Sequence, residues 1–219
     1  IDQIRREQSD MVELWIAVGA IALIGAVVGG GALYNKWKKS PGGPVGGDER
    51  RAGAAGAVKR VKRYAALNDY QVVAPALYAR GGKTAEFDCL LVGYFGVLAV
   101  RCIGYNGKIY GAANEDTWVQ TKGDDKRFEF ANPLKQNADQ ARLVRDVLLS
   151  AGCRNVPVET VLVFTGSRQQ LLLPRSTPFH TPKTLAAYLR TSHFDQDKKV
   201  DVQAVAGALR AAVVQPEVK

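Results

Sequence analysis

Glu86 and Asp88 stand two residues apart in a stretch that reads as a single β-strand, which sets both carboxylates on one face. With Lys108 reaching in from a neighbouring strand, such a pair is the minimum from which a divalent-metal site is built. The same pair serves equally as a solvated strand edge, because a metal site needs ligands that converge from fixed directions. A second feature is the run Lys59, Arg60, Lys62 and Arg63, with no acid among them. Such a face suits a polyanion, either nucleic acid or an anionic leaflet, and is otherwise an ordinary solvated surface. Rings for base stacking beside it are few, Tyr64 and Tyr70. His180 and His193 have no partner at ligand spacing, and Cys89, Cys102 and Cys153 lie far from both, so no resident metal site is expected. The cysteines read as buried free thiols in a reducing compartment.

These groups need a scaffold. The chain has 219 residues, 47% hydrophobic and 23% charged, the balance of a globular protein. Residues 1–33 carry two arginines against four acids, which leaves 28 basic and 17 acidic residues for the remainder. Residues 50–67 predict an amphipathic helix, with Val58, Val61, Tyr64 and Leu67 on its apolar side. Segments 70–78, 86–92 and 96–102 are rich in β-branched and aromatic residues and read as strands, the last two joined by a tight turn at 93–96. Further short strands are expected at 108–110, 117–121 and 127–130. Asn132 caps a helix that Pro133 opens and that runs to Ser150, with Leu134, Ala138, Ala141, Val144 and Leu148 along one side. Strands at 158–164 and 169–173 and helices at 182–190 and 202–214 complete an α/β domain over 50–215, a central mixed sheet flanked by helices.

Residues 14–33 contain no charge, and twenty residues at about 1.5 Å each cross the hydrocarbon core. Trp15 marks one end and Tyr34 and Trp37 the other, followed at once by Lys36, Lys38 and Lys39. The expectation is a single-pass protein of a bacterial inner membrane: residues 1–13 outside, a transmembrane helix at 14–35, a Pro- and Gly-rich tether at 36–49, and the domain in the cytoplasm. Gly25 and Gly29 form a GxxxG pair beside a row of Ala22, Ala26 and Gly30, a surface on which other membrane subunits could pack.

Taken in order, Phe87-Asp88-Cys89-Leu90-Leu91-Val92, Gly96-Val97-Leu98-Ala99-Val100, Gly107-Lys108-Ile109-Tyr110-Gly111, Trp118, Asn132-Pro133-Leu134-Lys135-Gln136 and Val161-Leu162-Val163-Phe164 resemble a NERD domain. This is the nuclease-related module of the PD-(D/E)xK nuclease-like superfamily, and the likeness runs from about Arg50 to Gly166. The resemblance implies a restriction-endonuclease-like fold and metal-dependent phosphodiester cleavage, in which two strand carboxylates hold Mg²⁺ and a lysine steadies charge. Asp88 matches the first carboxylate, whereas the family's Glu-x-Lys falls on Arg101 and Ile103 when Gly96 and Gly107 are aligned. An arginine there sets a positive charge where the ion would sit. Asp88 is then vestigial, and pairing with Arg101 across the hairpin is its simplest remaining use.

The leading expectation is a membrane-anchored, non-catalytic binding or scaffold subunit without a cofactor. Two others stay open: a Mg²⁺-dependent nuclease with a rearranged site at Glu86, Asp88 and Lys108, and a membrane-held DNA- or RNA-binding module.

Overall fold

The computed structural model describes residues 51–123 and 126–214. The expected flank 1–13, span 14–35 with its glycine and alanine rows, and tether 36–49 lie outside the described residues. Among those described, no helix is long and apolar enough to cross a membrane.

The organising strand is β5 (Gly96–Ile103), all eight of whose residues are buried. A strand buried on both faces must be covered on both, as strands beside parallel partners usually are. β5 pairs antiparallel with β4 (Cys89–Gly93) through the two-residue turn expected at 93–96, and parallel with β9 (Val158–Phe164). β1 (Gln71–Val73) completes the order β1-β4-β5-β9. Side-chain alternation sorts this sheet into two cores. Leu91, Leu98 and Val100 meet Ala57 and Val61 of α1 (Ala54–Leu67) and Leu185 of α3 (Pro182–Tyr188). On the other face Leu90, Val97 and Ala99 meet Val144 and Leu148 of α2 (Pro133–Ser150) and Val205 and Leu209 of α4 (Val202–Ala211). The mixed sheet flanked by helices is therefore present.

It is one sheet of three among the described residues. The strand expected at 70–78 is divided at the cis bond Ala74-Pro75 into β1 and β2 (Ala76–Arg80), since proline has no N–H for a ladder. The strand expected at 86–92 breaks at Asp88 into β3 (Lys83–Phe87) and β4. β2 and β3 form their own hairpin around Gly81 and Gly82, both at positive φ, a Gly-Gly turn signal that the sequence reading passed over. β6 (Gly107–Tyr110), β7 (Thr117–Thr121), β8 (Arg127–Ala131) and β10 (Gln169–Leu172) make a second four-stranded sheet in the order β10-β6-β7-β8. Its inner residues Ile109, Trp118 and Phe130 pack on Ile103, Leu162 and Phe164 at the ends of β5 and β9. Trp118 stacks on Phe164 with centroids 6.3 Å apart, donates from Nε1 to Ala112 O at 2.9 Å, and presses on Gly111, where an added Cβ would come within 2.3 Å of the indole.

Two helical stripes differ from expectation. The buried residues of α1 are Ala54, Ala57, Val61 and Ala65, and Leu67 is 79% exposed. Along α2 the stripe runs through Asn137 and leaves Ala138 outside. Small alanines let α1 lie close to the sheet, a placement that counting large apolar residues misses.

These contacts give opposite signs for two glycine substitutions. Gly111→Ala is expected to cost about 1–3 kcal/mol by displacing the Trp118 ring. Gly56→Ala, inside α1 with nothing near the new methyl, is expected to stabilise by about 0.5–1 kcal/mol. Urea unfolding of the two variants beside the parent checks both.

Candidate functional site

Asp88 occupies the bend where the chain leaves the β2–β3 hairpin for the central sheet. Its N–H donates to Val100 O at 2.9 Å, and its Oδ2 accepts from Cys102 N at 2.6 Å. The carboxylate thus takes the place of a strand carbonyl and satisfies an amide that β4 no longer reaches. Continuing the register Cys89↔Val100 by one residue sets Asp88 opposite Arg101.

Arg101 is 4% exposed and shares the strand face of Ala99 and Ile103, toward α2 and between two apolar clusters. Its Nη2 donates to Glu86 O at 2.9 Å and to Gln140 Oε1, and its guanidinium lies 5.4 Å from the Phe87 ring centroid. Gln140 Oε1 also accepts from Glu86 N at 2.8 Å, so one amide of α2 holds both the arginine and the backbone of β3. The Glu86 carboxylate meets Arg51 Nη2 at 2.5 Å, just ahead of α1. Such partners are what a cation in an apolar seam requires. Ile103 is 3% exposed and sits among Tyr105, Trp118 and Leu162.

The bend at Asp88 removes the premise that Glu86 and Asp88 share one strand face: Glu86 lies opposite Leu77 in β3, and Asp88 precedes β4. Lys108 is exposed on β6, in the other sheet, between Thr121 and Gln170, and no ion pair joins it to either carboxylate. Among the described residues no group of three or more His, Cys, Asp or Glu side chains is placed to hold a metal ion.

The start of α2 ties this region to the second sheet. Asn132 Oδ1 accepts from Leu134 N at 2.9 Å, the expected cap. Its Nδ2 donates to Ala112, Ala113 and Glu115 carbonyls at 3.2, 3.1 and 2.7 Å. Lys135 Nζ reaches Asp116 Oδ1 at 2.6 Å, and this hydrogen bond holds the Asp116 carboxyl below its usual range. One turn on, Asn137 is 1% exposed, and neither end of its amide has a partner among the described residues.

Lys59, Arg60, Lys62 and Arg63 are all exposed on α1. His193 Nε2 lies 2.7 Å from Glu159 Oε2, while His180 stacks on Tyr188 at 4.5 Å and is held below its usual pKa by burial. All three cysteines are free, and burial pushes the Cys89 thiol up to about 12, so it stays protonated.

The family model of the nuclease-related domain matches residues 52–165, over half of the chain. The chain belongs to this family. No curated protein and no solved structure matches it. The NERD match takes in Asp88, Arg101, Ile103, Asn132 and Gln140, and it ends before β10, α3 and α4. Reading the sequence missed Gln140 and Arg51 as partners of this site. A polar residue at a core position of α2, Asn137, was the available signal that the face is not plain core.

Two outcomes follow. Asn132→Ala is expected to cost about 2 kcal/mol, because it removes a cap worth about 1 kcal/mol and the donor shared by three partly buried carbonyls. Asn132→Asp, which keeps the cap oxygen, is expected to fall between the two in denaturant midpoint. Because the folded state holds the His180 pKa below the ordinary 6.5, the unfolded chain binds that proton more readily. Stability is therefore expected to be full above about pH 6.5 and to fall as pH drops toward the folded value, a slope that His180→Phe should flatten in a pH series of melts.

Proposed function

We propose that this NERD domain is non-catalytic and works as a binding or scaffold subunit, held at the cytoplasmic face of a membrane by the span at 14–35. One observation carries the reading. At the family's second-carboxylate position stands Arg101, buried and bonded to Glu86 O and Gln140, and at the lysine position stands Ile103 within apolar packing. These residues do not fit a Mg²⁺ ion: one carboxylate would have to hold it against a guanidinium across the strand. Asp88 meanwhile has a structural use as the acceptor for Cys102 N. The anchor rests on the length and flanks of the apolar run, and the rows Gly25/Gly29 and Ala22/Ala26/Gly30 supply a surface for other membrane subunits. No small-molecule cofactor enters this reading.

Membership of a nuclease-related family keeps the rearranged Mg²⁺ nuclease as the competing reading. The deciding experiment incubates purified full chain in detergent with single- and double-stranded DNA and Mg²⁺ or Mn²⁺, beside Asp88→Ala. No turnover above blank is expected in either metal, with Asp88→Ala showing only a lower melting temperature. Cleavage that disappears in Asp88→Ala would overturn the proposal.

A further inference from the structure

α1 is unusual among the helices in its outer surface. Lys59, Arg63 and Leu67 follow at i, i+4 and i+8 along one ridge, with Arg60 and Lys62 on either side, and the helix contains no acid. The ridge ends on a leucine that is 79% exposed. At the same end Tyr64, Tyr70 and Tyr94 form a chain of edge-to-face contacts at 6.0 and 5.9 Å, and Tyr94, on the tip of the β4–β5 turn, is 46% exposed. α3 packs beside α1 and adds the exposed Lys183, with Arg190 just beyond it. Asp69 and Asp195 are the acids near this end.

A row of cations that terminates in exposed apolar groups matches the cross-section of a lipid surface, charge at the headgroups and hydrocarbon just beneath. It matches nucleic acid less well. Tyr64 and Tyr70 are packed on each other, and Tyr70 OH is committed to Phe194 O at 2.8 Å, so they offer no face to a base. α1 also lies along the sheet with α3 alongside, and does not project as a helix that enters a groove must.

We infer that the outer face of α1 docks on an anionic phospholipid leaflet, with Lys59, Arg60, Lys62 and Arg63 at the headgroup phosphates and Leu67 and Tyr94 at the acyl boundary. The inference rests on the anchored reading above. On that reading the eighteen residues between the span and α1, the tether at 36–49 among them, confine the start of α1 to within about 60 Å of the leaflet, so docking is an intramolecular event.

The test uses the full chain in nanodiscs of phosphatidylcholine alone and of equal parts phosphatidylcholine and phosphatidylglycerol. The rate of lysine acetylation is read by mass spectrometry at Lys59 and Lys62, with Lys83 and Lys108 as internal references. In the anionic discs Lys59 and Lys62 are expected to react about fivefold more slowly than in neutral discs, with the references unchanged and the protection lost in high salt. Arg60→Glu/Arg63→Glu is expected to remove the protection while the chain still enters the discs. Equal rates in both discs, with the chain incorporated, would overturn the docking and leave the anchor standing. Protection that arises only when DNA is added to neutral discs would overturn it in favour of nucleic acid. A chain that enters neither disc would remove the anchored reading, and the inference with it.

Discussion

Burying β5 on both faces is the constraint from which the domain follows. A strand read as Gly-Val-Leu-Ala-Val-Arg-Cys-Ile cannot show either side to water, so the chain must supply helices to both. Parallel pairing with β9 meets half of that demand, because the long connection between the two strands carries α2 across one face. The opposite face is closed by α1, which arrives from before the sheet, and by α3, which arrives after it.

The polar groups of the site are consequences of where that strand stops being apolar. Arg101 is the one charged residue along β5, and its partners come from two separate elements: the Glu86 carbonyl and Phe87 ring of β3, and the Gln140 amide of α2. Gln140 cannot be placed without the orientation of α2, which Asn132 fixes by gripping three carbonyls ahead of β7. Asp88 closes the ladder at the same level. This end of β5 is a joint, holding two sheets and a helix by hydrogen bonds.

Much of this was legible in advance because the sequence is locally consistent. The bounds of α2, β7 and β9 could be read directly, since Asn132-Pro133 is a clear start signal and the strand runs are strongly apolar. The division into three sheets could not. Strand periodicity cannot reveal that Asp88 and Ala74-Pro75 interrupt a ladder, because pairing partners are set by tertiary contacts and not by neighbours in sequence. The basic ridge of α1 was visible, whereas its apolar tip was mistaken for core: Leu67 has the right spacing, but alanines do the packing. At the site, the residue types at 88, 101 and 103 were apparent, and Gln140 was hidden because a glutamine carries no pattern of its own.

The surroundings of Ile103 limit what variation this end of the domain tolerates. The isoleucine is enclosed by Tyr105, Trp118, Leu162 and Phe164, so a lysine placed there would have to lodge its ammonium in hydrocarbon. A glutamate placed at 101 would meet the Gln140 Oε1 and Glu86 O that accept from the guanidinium, acceptor facing acceptor. Either substitution alone is costly. The joint is therefore a point at which single changes lead downhill in stability, while the exposed surface around it can vary far more freely.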